Sequence, residues 1–169
     1  MDKEKHVAAL VRIIALRVAK GKKDLAESYL KWAYSDTSVT ANEPINEKTF
    51  IKKYLSPVKK MPKRKELRKF FFDYQGRNLG SEVVTHILKM KYSDFLETFY
   101  WRAVSLHVKD EAGRTCSICG QRGGHLDVHH YTYQHHGDEM NHLEDLTCVC
   151  RECHKKIHEL LAFTEATND

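Results

Sequence analysis

The 169 residues predict an α+β fold, with a mainly helical, basic region over 1–92 followed over 93–169 by a small module of knuckle, strand, loop, strand and helix. Three observations carry this. Apolar residues recur at helical spacing through most of the first hundred positions. All five cysteines fall after residue 115, four of them in two Cys-x-x-Cys pairs. Two short apolar runs follow the first pair, and one last helical pattern follows the second.

His6 to Val18 places Val7, Leu10, Val11, Ile14 and Val18 at helical spacing, and Gly21 breaks the run. Asp24 can cap a second helix with Leu25, Tyr29, Leu30 and Ala33 on one side. Ser35 to Pro44 is polar and turn-like. Thr49 to Leu55 suits a short helix that stops before Pro57. The run PVKKMPKRK reads as an exposed connector, because two prolines interrupt it. Glu66 to Tyr74, Ser81 to Lys89 and Ser93 to His107 each fit a helix. Phe70, Phe71, Phe72, Tyr74, Tyr92, Phe95, Phe99, Tyr100 and Trp101 read chiefly as helical core. Stacking on bases is the other use of such rings.

Composition narrows the class. A hydrophobic fraction of 41% and a charged fraction of 30% are ordinary for a globular chain. The longest near-apolar stretch, Val7 to Leu16, is broken by Arg12, so no membrane span is expected. MDKEKH begins no signal-peptide pattern, and the expectation is a cytoplasmic protein, in the host cell if phage-encoded. The net charge of +5 hides an asymmetry: residues 1–100 carry 21 Lys and Arg against 12 Asp and Glu, and residues 101–169 carry 7 against 11. The excess is densest between Lys48 and Lys69, where Lys52, Lys53, Lys59, Lys60, Lys63, Arg64 and Lys65 sit with a single acid, Glu66. Such a block favours a polyanion, so these seven are the candidate nucleic-acid contacts. The other readings are a solvated basic face and a docking surface for a protein partner.

The cysteines point to metal. Cys116-x-x-Cys119 and Cys150-x-x-Cys153 are separated by thirty residues. Each pair can bite one ion, and four thiolates close a tetrahedron around zinc with no position left for water. This is a structural zinc site. Cys148 is one position too close to Cys150 for such a pair and reads as a core thiol.

A second set lies among the histidines. His154 and His158 are four apart on the last predicted helix and share a face. His129 and His130 end the first predicted strand, so their side chains point to opposite sides. One can join the helix histidines at a metal while the other faces a substrate. Hydrolysis of a phosphodiester needs both a metal that neutralises developing charge and a base that takes a proton from water. His135, His136 and His142 read as polar loop surface that could touch DNA, and His6, His86 and His107 carry no pattern.

LDVHHYTYQHHGDEMNHLEDLTCVCRECHKKIH, with CSICG upstream, closely resembles the HNH endonuclease family, whose core is a ββα-metal finger. The likeness covers about residues 114–158, with a weaker likeness upstream through YSDFLETFYWRAVSLHVKDEAG. The resemblance implies DNA cleavage that leaves 5′-phosphate and 3′-hydroxyl ends. It makes His130 the general base and His129 and His154 ligands of one catalytic divalent ion. His158 becomes a further ligand or a contact to the scissile phosphate. The ion is one of magnesium, manganese, nickel or zinc. The family's asparagine falls on Asp145, where a carboxylate either orients His130 or reaches the metal. The alternative reading is a non-catalytic zinc module that binds nucleic acid or protein. A small chain with a compact catalytic tail suits a phage or mobile element.

Overall fold

A computed structural model describes residues 45–166. The two helices expected over 6–18 and 24–33, and the turn over 35–44, lie outside the described residues. The described residues fall into two compact units, 45–107 with 134–143, and 108–133 with 144–166.

The first unit is helical. Its elements are α1 (Glu47–Tyr54), α2 (Arg64–Tyr74), α3 (Ser81–Lys89), α4 (Tyr92–Leu96) and most of α5 (Phe99–Glu111). The Asn46 side chain starts α1 by accepting from the Thr49 N–H at 3.0 Å. α2 begins two residues before the apolar pattern does. Lys63 follows Pro62, and its N–H donates to the Glu66 carboxylate at 2.9 Å, a capping contact the hydrophobic pattern does not register. The single helix expected over 93–107 is two. The Thr98 hydroxyl donates to the Phe95 carbonyl at 2.7 Å and accepts from the Trp101 N–H at 3.1 Å. One side chain thus ends α4 and begins α5.

The aromatics form the core, as expected, around Phe50. Its ring centroid lies 5.2 Å from Tyr54 and Tyr74, 5.8 Å from Phe70 and 6.2 Å from Tyr100. Tilted and edge-to-face pairs of this kind add about 0.5–1.5 kcal/mol each beyond the area they bury. Phe72 and Tyr92 are the exceptions, 66% and 44% exposed. Successive helical residues step about 100° around the axis, so Phe70 and Phe71 point inward and Phe72 does not.

Residues 134–143 are tied into this unit by buried polar groups. The Gly76 N–H donates to Asn141 Oδ1 at 2.8 Å, and Asn141 Nδ2 donates to the Arg77 carbonyl at 2.9 Å. Glu139, 1% exposed, accepts from the Tyr100 hydroxyl at 2.9 Å and meets His136 Nδ1 at 2.6 Å. His135 and His142 stack with ring centroids 3.7 Å apart. These three histidines are therefore packed groups rather than loose surface.

The second unit is a ββα element. β1 (Leu126–His130) pairs antiparallel with β2 (Leu146–Cys150), with Leu126 opposite Cys150 and His130 opposite Leu146. α6 (Arg151–Ala166) follows β2 directly. On α6 the buried stripe is Cys153, Ile157 and Leu161. His154 and His158 sit one position further on, about 100° around the helix, at the edge of the packed face. No described helix is long and apolar enough to cross a membrane.

Candidate metal centre

The first site begins with the knuckle. Gly120 has φ +73°, which turns the chain back after Cys119. The Gly120 N–H donates to the Cys116 carbonyl at 2.9 Å, and the Cys116 N–H donates to Gln121. The Ser117 N–H reaches the Cys148 carbonyl at 2.9 Å, which anchors the knuckle on β2. Cys150 ends β2 and Cys153 lies in the first turn of α6, so the second pair comes from the strand–helix junction.

The four sulfurs of Cys116, Cys119, Cys150 and Cys153 lie within 4.8 Å of one another. Cys119 Sγ is 3.7 Å from Cys150 Sγ. Zn–S bonds of about 2.3 Å at tetrahedral angles put sulfurs about 3.8 Å apart, whereas a disulfide needs about 2.05 Å. The spacing is that of a metal tetrahedron. The electrostatics agree. Cys116 is held down to about 4 by a hydrogen bond from the Cys153 thiol, against burial, with help from backbone N–H groups at Cys150, Cys119 and Ile118. Cys119 is pushed up by burial, and Cys153 by its bond to Cys116 and then by burial. Four sulfurs this close cannot all ionise unless a cation joins them. Cys148 stands outside the set. Burial pushes its thiol up to about 11, as a core thiol requires.

The second site joins His129 of β1 to His154 and His158 of α6, with one nitrogen from each inside a 4.8 Å set. His154 Nε2 and His158 Nε2 are 3.1 Å apart. Two imidazole nitrogens bound to one zinc ion at about 2.1 Å and a tetrahedral angle lie about 3.4 Å apart, so this donor set fits a divalent ion. Its all-nitrogen character favours a transition metal over magnesium. Burial, then the nearby His154, lowers the pKa of His158, which keeps its imidazole in the neutral form that binds metal. His129 is buried and His158 exposed, so the set opens on the helix side. Sequence reading missed one neighbour: Asp127 Oδ2 lies 3.3 Å from His154 Nδ1. Alternation along β1 puts Asp127 on the His129 face, and that spacing was the available signal.

His130, the next residue of β1, is 2% exposed, and its ring stacks on Tyr133 at 4.8 Å between centroids. Asp145 is equally buried, and its carbonyl accepts from the Tyr131 N–H at 2.8 Å, which ties it beside the end of β1. Lys52, Lys53, Lys59, Lys60, Lys63, Arg64 and Lys65 are all exposed within the helical unit. Asn141, four residues before Asp145, is engaged with Gly76 and Arg77 as described.

Strand, strand and helix, with a four-cysteine cluster beside a histidine cluster, are consistent with an HNH-type zinc-stapled metal finger. The chain is similar to the Zorya protein ZorE of Escherichia coli, at 28% identity over 127 residues, 67% of this chain and 32% of ZorE. It thus spans about a third of that relative's length. No family model matches the chain, and no solved structure does.

Proposed function

We propose that this finger is the catalytic part of an endonuclease that hydrolyses DNA phosphodiester bonds and leaves 5′-phosphate and 3′-hydroxyl ends. The observation that carries the reading is two donor sets of different kinds, three histidines on one ββα element and four cysteines shared between its strand–helix junction and the knuckle beside it. Four sulfurs fill a tetrahedron and suit structure alone. Three imidazoles leave a coordination position open, as catalytic sites do. An ion held by His129, His154 and His158 would supply neutralisation of the charge that develops on phosphate and on the leaving oxygen. Magnesium, manganese, nickel and zinc are the ions to test.

In this reading His130 takes a proton from water as the water oxygen attacks phosphorus. The bond from phosphorus to the 3′ oxygen breaks, and that oxygen leaves to be protonated. The Tyr133 ring stacked on His130 limits its rotation. Asp145 orients His130. The seven exposed cations from Lys52 to Lys65 hold the backbone.

Nicking of supercoiled plasmid, read against each divalent ion, tests this. His130→Ala should keep structural zinc and DNA affinity and lose cleavage by roughly 10²–10⁴. His154→Ala should also weaken binding of the second ion. Asp145→Asn should stay active if the carboxylate only orients His130, and should need more divalent ion if it is a ligand. Undiminished cleavage by His130→Ala, with a His130/His154 double variant silent, would refute the mechanism. A plasmid left intact with every ion would replace the nuclease with a non-catalytic zinc-containing binding module.

A further inference from the structure

We infer that Asp127 is a positioning residue for the three-histidine set, acting through His154. The inference rests on the reading of that set as a metal site. It concerns a residue of LDVHH that neither the base nor the ligand roles absorb.

Asp127 and His129 are two apart on β1 and share a face of the strand. α6 lays His154 against that face, with Nδ1 at 3.3 Å from Asp127 Oδ2. An ionised carboxylate only accepts hydrogen bonds, so this contact requires the proton to sit on Nδ1. The lone pair is then on Nε2, at the far side of the ring. That nitrogen is the one 3.1 Å from His158 Nε2, inside the ligand set. Asp127 therefore selects the tautomer of His154 and sets the rotation of its ring. It also leaves the imidazole more electron-rich, as a carboxylate behind a metal-bound histidine does.

The carboxylate is itself held. Its other oxygen, Oδ1, lies 3.2 Å from His125 Nε2. The half-buried Lys109 at the end of α5 also feels its charge. Asp127 is outside the ligand set because its oxygen meets the opposite nitrogen of the His154 ring.

The test uses the full chain with its structural zinc loaded and no second ion present. Long-range proton–nitrogen NMR of the histidine side chains assigns the tautomer. Wild type should carry the His154 proton on Nδ1, and Asp127→Asn should retain it because the amide oxygen still accepts. Asp127→Ala should move the population toward the Nε2-protonated form. Calorimetric titration with nickel or manganese should then show affinity down by about 10–100-fold in Asp127→Ala, with partial recovery in Asp127→Asn. Unchanged zinc content and helix signal exclude misfolding as the cause. A His154 proton on Nε2 in wild type would overturn the proposal. So would an Asp127→Ala variant that binds the ion as wild type does, which would leave the metal reading intact. A wild type that takes up no ion beyond its zinc overturns both.

Discussion

Cys119→Ser and Cys148→Ser each exchange one sulfur for oxygen, and the structure gives them opposite consequences. Cys119 is a corner of the sulfur tetrahedron, 3.7 Å from Cys150. The second unit offers a two-stranded sheet, a knuckle and one helix, and a two-stranded sheet is marginal without further support. Structural zinc binding is worth about 10–16 kcal/mol at pH 7, as large as the whole folding free energy of a small domain. A serine hydroxyl does not replace the thiolate, so Cys119→Ser should lose zinc and unfold this unit. Cys148 is 1% exposed, and its thiol, pushed up to about 11 by burial, is neutral at pH 7. Cys148→Ser should keep its zinc and pay only for a buried hydroxyl, about 1–3 kcal/mol. Zinc content read with a chelating dye after thiol displacement, together with urea unfolding followed by circular dichroism, separates the two. Zinc lost from Cys148→Ser, or a folded and zinc-loaded Cys119→Ser, would refute the assignment of ligands.

Three further outcomes test other parts of the molecule. Gly80 has φ +80°, and an added Cβ would lie 2.3 Å from the Glu47 carboxyl carbon, whose Oε2 accepts from the Glu82 N–H at 2.6 Å at the start of α3. Gly80→Ala should cost about 1–3 kcal/mol in backbone strain and about 1 more for the displaced cap, and a loss below about 0.5 kcal/mol in urea unfolding would contradict this. Neutralising four of Lys52, Lys53, Lys59, Lys60, Lys63, Arg64 and Lys65 should reduce the log–log salt slope of DNA affinity by roughly three to four units; an unchanged slope would mean that they do not touch phosphate. Burial raises the pKa of Asp138 above 3.8, against the pull of His142 and Asn141, so this group's stability contribution falls as pH rises from 3.8 through the folded value. Asp138→Asn should be more stable than wild type at pH 7 and lose that advantage below 3.8, and a carboxyl NMR midpoint at or below 3.8 in wild type would show the sign to be wrong.

Much of the architecture is legible in the chain because the signals are local. The Ser81–Lys89 helix follows from its apolar spacing, and both strands are bounded by their short apolar runs. The division at Thr98 is not legible, because a threonine inside a helical pattern becomes a cap only when its hydroxyl meets Phe95 and Trp101. Loop His136 reads as surface because nothing local announces that Glu139 is buried against Tyr100, and His135 and His142 because nothing local announces that their rings stack.

The same division runs through the metal sites. Chelation by Cys-x-x-Cys is a matter of reach along a few bonds, so residue order alone picks out the four sulfurs that the fold gathers and sets Cys148 apart. The pairing of His154 with His158 is likewise written in a spacing of four. That His129 joins them, and that Asp127 stands behind His154, depends on β1 lying against α6. Twenty-six residues separate Asp127 from His154 in the chain, and no local propensity encodes a contact of that range. Packing of strand against helix creates it, and with it which imidazole nitrogen of His154 faces Asp127 and which faces His158.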